Sequence, residues 1–120
     1  MSPSAPPAAA RHGLPLTEAT YLILLTLAPG ARHGYAIMKE VGTLSDGRVA
    51  LSTGTLYGAI KRLLAEGWIQ RSGAVVIQGP GRPRQAYNLT RAGRRVLKAE
   101  SSRLNSLVSL ARARALLEGA

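Results

Sequence analysis

The chain contains no cysteine and no phenylalanine, and its aromatic complement is one Trp and four Tyr. The lack of cysteine excludes disulfides, thiolate metal ligands and a cysteine nucleophile, and fits a reducing, cytoplasmic setting. Histidine is nearly absent too, with His12 and His33 the only two. His12 falls in a Pro- and Ala-rich lead-in and His33 stands before Gly34 at a helix start, where a structural or capping role is expected. Acid is equally scarce: six Asp and Glu are scattered along the chain, and no pair suggests general acid–base chemistry. Gly79-Pro80-Gly81 lacks the third glycine and the following helix of a dinucleotide loop. These absences argue against an enzyme, and no metal or other cofactor is called for. The longest largely apolar stretch, Tyr21 to Ala28, is far short of the roughly 20 residues a spanning helix needs. A basic amphipathic helix near the C-terminus lacks the aromatic anchors of an interfacial segment, so no membrane partner is expected.

What is abundant is positive charge. Sixteen Lys and Arg give a formal net charge of +10, and arginine dominates the excess. The planar guanidinium fork suits phosphate and base edges better than an ammonium does. A domain this basic calls for a polyanionic partner, either nucleic acid or an acidic membrane surface, and the readings below favour double-stranded DNA. At 120 residues the chain is sized for one domain with its own core.

Along the chain, residues 1–13 have no apolar periodicity and read as a disordered lead-in. A first helix is expected from Thr17, its N-cap, to Ala28, ended by Pro29-Gly30. A second spans His33 to Leu44, with Ile37, Val41 and Leu44 on one buried face. After the turn residues Ser45-Asp46-Gly47, Arg48 to Leu51 is a candidate short strand. A third helix runs from Ser52, the expected N-cap, to Gly67, burying Leu56, Ile60, Leu63 and Leu64. Trp68 behind it reads as a core residue. Strands follow at 69–78 and 85–89, joined by the stiff basic tip Gly79 to Arg84. A last helix from Thr90 to Leu117 carries an apolar stripe too long for the domain's own core, and so reads as a subunit contact. Three helices, a two-stranded wing and a long helix give a mainly α chain with a small β wing. That is the layout of a winged helix-turn-helix domain over residues 14–90 followed by a C-terminal dimerisation helix over 91–120.

Two places carry the expected chemistry. With the core stripe removed, the third helix leaves Thr53, Tyr57 and Lys61 in an i, i+4, i+8 row, with Thr55 and Arg62 beside it. Hydroxyls at a helix N-terminus, helped by the helix dipole, hold phosphate. Slim side chains with Gly54 and Gly58 let the helix approach a major groove. The wing is the second place. From Arg71 to Lys98 there are seven basic residues and no acidic one. Arg82 and Arg84 flank a proline that holds the tip extended, a form suited to a narrow minor groove.

Three blocks then resemble a known family: His33-Gly34-Tyr35-Ala36-Ile37; Leu51-Ser52-Thr53-Gly54-Thr55-Leu56-Tyr57, continuing to Arg62-Leu63 and Gly67-Trp68-Ile69; and Gly81-Arg82-Pro83-Arg84-Gln85-Ala86-Tyr87-Asn88-Leu89-Thr90-Arg91-Ala92-Gly93. In this order and at these separations the chain is similar to the short form of the PadR family of bacterial transcriptional regulators, over roughly residues 16 to 97. The resemblance implies a homodimer that binds a pseudo-palindromic operator as a repressor and lets go when an effector or stress signal arrives. It makes Ser52, Thr53, Thr55 and Tyr57 recognition-helix contacts, chiefly to phosphate, with Lys61 extending the row and Arg82 and Arg84 serving the wing. The expected dimer contacts are Leu22 on the first helix and Leu97, Leu104, Val108, Ala111 and Ala115 on the last. Some members stack flat aromatic effectors at the dimer interface, but this last helix has no Trp, Tyr or Phe from Arg91 onward. An effector, if one acts here, is therefore of another kind and unnamed by the residues. The competing reading is a nonspecific nucleoid-associated DNA-binding protein, because phosphate contacts give affinity without specificity.

Overall fold

The computed structural model describes residues 13–75 and 84–115. The lead-in up to residue 12, the wing tip at residues 76–83 and the end of the chain from residue 116 lie outside the described residues. The elements are α1 (Glu18–Thr26), β1 (Arg32–His33), α2 (Gly34–Leu44), α3 (Thr53–Glu66), β2 (Ile69–Val75), β3 (Arg84–Leu89) and α4 (Arg91–Ala113). The architecture is mainly helical with a small antiparallel wing, as the apolar periodicities require.

Capping chemistry sets the helix starts. Thr17, Ser52 and Thr90 each turn a hydroxyl back onto the amide three residues on, at 3.2, 3.1 and 3.0 Å. His33 does the same through its ring, Nδ1 accepting from the Ala36 amide at 3.2 Å. Each cap satisfies an amide with no partner inside its helix. Gly67 ends α3 in the left-handed conformation, with φ of 77°.

The core gathers Ile23 and Leu24 from α1 and Leu27 from its C-cap, Ile37 and Val41 from α2, Leu56, Ile60 and Leu63 from α3, and Ile69, Tyr87, Leu89 and Leu97 from the wing and α4. Because α1 is apolar nearly all round, its Thr26 is fully buried as well. The Thr26 hydroxyl donates to the Ile23 carbonyl at 2.7 Å, which satisfies it. Trp68 is half-buried and packs against this core.

Three expectations need correction. The short strand is not at Arg48 to Leu51 but at Arg32–His33, antiparallel to β3 with Arg32 opposite Tyr87, so the sheet order is β1-β3-β2. Residues 45–49 are instead closed into a turn, with the Val49 amide donating to Ser45 Oγ at 3.0 Å and both Asp46 and Gly47 at positive φ. Leu44 is 48% exposed although it lies in the last turn of α2, and the buried place at the end of the helix is taken by its C-cap Ser45. The last helix ends at Ala113 rather than Leu117: Arg114 is its C-cap and Ala115 adopts φ of 61°, outside the helix.

The wing's two main strands pair from Ile69–Leu89 out to Val75–Arg84, with a bulge between Arg71 and Ala74. Gly73, at φ of 98°, supplies the bulge, and Gln85 Nε2 donates to its carbonyl at 3.1 Å. The base of the wing is clamped to α4. The Thr90 hydroxyl donates to the Gly67 carbonyl at 2.6 Å, and the Thr90 amide to that of Trp68 at 3.0 Å. After Glu100, α4 contributes no buried residue and runs on past the core.

Candidate nucleic-acid interface

Ser52, Thr53, Thr55, Tyr57, Lys61 and Arg62 are all exposed, while Leu56, Ala59, Ile60 and Leu63 on the same helix face inward. The polar row and the core stripe are thus the two faces of α3, as the 3.6-residue period dictates. The Ser52 hydroxyl donates to Thr55 Oγ1 at 2.9 Å while accepting the Thr55 amide, leaving the cap's two hydroxyls adjacent at the positive end of the helix dipole.

Tyr57 is only 46% exposed, because its ring lies against the start of α2. A Cβ placed on Gly34 would come within 2.8 Å of Tyr57 Cζ. Glycine at position 34 therefore lets the ring seat against the backbone. Behind it lies the buried Tyr87, whose phenol is pushed above its ordinary range by burial first and the neighbouring Tyr57 second, against a smaller opposing pull from Arg71.

The wing approaches the same surface. The guanidinium of Arg84 lies 5.8 Å from the centre of the exposed Tyr35 ring, a cation–π distance. Arg84 is thereby brought beside the second helix as well as the wing. Arg82 falls outside the described residues. Neither Tyr35 nor the exposed Arg71 emerged as a site residue from sequence. Only the fold brings Arg84 to Tyr35.

Arg32, by contrast, is committed to structure. Its Nε donates to the Thr26 carbonyl at 2.8 Å, and its other end pairs with Glu40 at 3.4 Å.

The residues expected at a subunit contact divide in two. Leu22 and Leu97 are buried in the chain's own core. Leu104, Val108 and Ala111 are half-buried on the projecting part of α4, Ala115 lies beyond its end, and Leu107 and Leu110 are 50% and 63% exposed. The junction between core and projection is Glu100, 1% exposed. Its carboxylate accepts from Arg103 Nε at 2.5 Å, Arg103 Nη2 at 2.9 Å and the Leu16 amide at 2.9 Å. The Arg103 hydrogen bonds hold this carboxyl below the usual range against the opposing effect of burial, with help from the Leu16 amide. Nearby, the Tyr21 and Ser101 hydroxyls meet at 2.8 Å.

The PadR-like transcriptional regulator family model matches residues 23–99, from within α1 through α2, α3 and the wing to the first nine residues of α4. The chain belongs to this family. Among solved structures, it is similar to a PadR family transcription regulator of Clostridium difficile, at 25% identity and a TM-score of 0.67, covering 81% of this chain and 97% of that one. It is also similar to Bacillus subtilis PadR in complex with operator DNA, at 28% identity and a TM-score of 0.55, covering 65% of this chain and 43% of that one. A 37.1 kDa protein of transposon TN4556 from Streptomyces fradiae is 38% identical over 84 residues. That match covers 70% of this chain, which spans only 22% of the length of that relative.

Proposed function

We propose that this PadR-family chain is a sequence-specific, DNA-binding repressor, acting in the cytoplasm as a homodimer on a pseudo-palindromic operator. The observation that carries the reading is the exposed row Ser52, Thr53, Thr55, Tyr57 and Lys61 on one face of α3, with Arg84 alongside on Tyr35. Hydroxyls and free amides at the N-terminal end take phosphate, Lys61 follows the backbone, and the face enters the major groove. Arg84, with Arg82 beyond it, reaches the flanking minor groove. The operator complex of Bacillus subtilis PadR supports DNA as the partner.

The projecting part of α4 supplies the second subunit's contact. Among the described residues the core takes in none of Leu104, Leu107, Val108, Leu110 and Ala111, and pairing two such helices would bury them. Two-fold symmetry then sets the two recognition helices about 34 Å apart, one turn of DNA. Residues 14–90 form the reading head in this arrangement, and the helix from 91 onward forms the dimer arm. Repression follows from steric exclusion of polymerase.

The test is a titration at near-physiological salt of the promoter upstream of the protein's own gene against a shuffled duplex of equal composition. A preference of about a thousandfold or more is expected of a specific repressor. Equal, salt-sensitive binding to both would favour the nonspecific nucleoid-associated reading instead.

A further inference from the structure

Arg91, Arg94, Arg95 and Lys98 occupy i, i+3, i+4 and i+7 of α4 and are all exposed. They share the face opposite the buried Gly93, Val96, Leu97 and Glu100. Four like charges at this spacing repel one another, and Arg91 and Arg94 sit on the first turn, where the helix dipole is itself positive. The first turn of α4 carries no acidic residue. Ion pairs among the described residues use Arg32, Arg48 and Arg103, and none uses these four. The local arrangement is unfavourable alone, and a multivalent anion would relieve it.

The face lies away from the reading head. The start of α4 is tied to the far end of α3 through Thr90, Gly67 and Trp68. Back along α3 from there, Lys61 is about 9 Å away and the phosphate-binding cap at Ser52 about 20 Å, beyond the reach of an arginine side chain. The α3 row and the α4 face each point outward from the one core that holds Ile60, Leu63 and Leu97. The four cations span about 10 Å along the α4 axis, which matches roughly three successive phosphates of one strand. Three of the four are arginines, the better phosphate ligand.

We propose that this face is a second duplex-DNA surface. It takes the phosphate backbone of a segment other than the one under α3 and the wing, so that the protein bridges two duplexes. The surface is separate from the reading head and its contacts are independent of sequence.

The experiment pairs two readouts on the full chain. A bead-tethered mixed-sequence duplex captures a labelled second duplex through the protein, and anisotropy measures affinity for a single promoter duplex. In R91Q/R94Q/R95Q/K98Q, second-duplex capture should fall about tenfold or more at near-physiological salt, while the promoter Kd changes less than about twofold. Relief of the repulsion keeps this variant folded, which its thermal midpoint checks. In T53A/Y57A/K61A, which cripples the reading head, a weak salt-sensitive affinity for any duplex should remain and should vanish when the four cations are also neutralised. Capture that is unchanged by the four substitutions overturns the proposal. So does a parallel fall of capture and promoter affinity, which would lay the face along the same duplex. Wild-type protein that captures no second duplex also overturns it, and would leave an acidic protein as the partner of this face. Loss of promoter preference with capture intact would count against the repressor reading alone.

Discussion

The ring of Tyr57 rests on the backbone of Gly34. The absence of a side chain at 34 lets the start of α2 and the outer face of α3 close together, since a Cβ at that position would stand 2.8 Å from the ring carbon Cζ. Gly34→Ala should therefore displace a ring on the proposed DNA face. We expect a loss of about tenfold in promoter affinity and about 1 kcal/mol in stability, each near the scale of one misplaced contact. In a Tyr57→Ala background the same change should have little further effect on affinity. Additive losses in that double-mutant cycle would disconnect the two residues.

A second glycine meets something less forgiving. A Cβ on Gly93 would come 2.7 Å from the carbonyl carbon of Trp68, a backbone atom of the β2 approach that cannot swing aside. Gly93→Ala should cost about 2–4 kcal/mol in urea unfolding, within the range for overpacking a tight site. A cost below about 1 kcal/mol would mean that α4 slides on the wing base without penalty.

Much of this was legible in the residues. The caps Thr17, Ser52 and Thr90, the Gly67 stop and the two faces of α3 follow from local chemistry, and each stands where that chemistry puts it. His33 as a cap was legible for the same reason. Other features were not. The strand Arg32–His33 is two residues long and has no periodicity; it exists because β3 offers an edge. Leu44 has the right spacing for the core, but spacing does not say where the chain turns. Ala115 continues a helical pattern of composition beyond the point where the backbone leaves the helix. The Tyr35–Arg84 contact joins residues 49 positions apart, so no local signal announces it. Leu22 and Leu97 show that an apolar stripe marks what is covered without saying by which chain.

Acid should loosen the joint between core and projecting helix. The Glu100 carboxyl titrates below its usual value because Arg103 and the Leu16 amide hold the charged form. A carboxyl depressed on folding adds stability that is fully present above its unfolded pKa, about 4.3, and is lost as pH falls through the lower folded value. Stability of the wild type should thus decline on the acid side of about pH 4.3, and Glu100→Gln should flatten that limb at a cost of about 1–3 kcal/mol at neutral pH. An identical acid limb in the variant would show that Glu100 is not the titrating group.

The wing arginines are open to a salt test. Each phosphate neutralised contributes about 0.9 to the slope of log affinity against log salt. Replacing Arg82 and Arg84 together with Ala should therefore shallow the slope by up to about 1.8. Tyr35→Ala should act through Arg84, lowering affinity in the wild type and hardly at all once Arg84 is gone. An unchanged slope in the double arginine variant would remove the wing from the DNA contact.

The proposed dimer would rest on the part of α4 that the core does not reach. Leu104 and Val108 are half-buried one turn apart, flanked by the exposed Leu107 and Leu110. If a second copy covers this face, Leu104→Glu with Val108→Glu places four carboxylates in one apolar contact, and burying them unpaired is prohibitive. The variant should sediment as a folded monomer, because α4 is anchored upstream by Val96, Leu97 and Glu100, none of which is touched. Promoter affinity should fall about a hundredfold or more, since losing one of two linked half-site contacts removes the gain from effective concentration. Leu22→Ala and Leu97→Ala should behave differently, lowering stability by about 2–4 kcal/mol through core cavities while leaving the dimer intact. A Leu104/Val108 variant that still sediments as a dimer would move the interface off this helix, and a monomeric Leu22→Ala would move it onto α1.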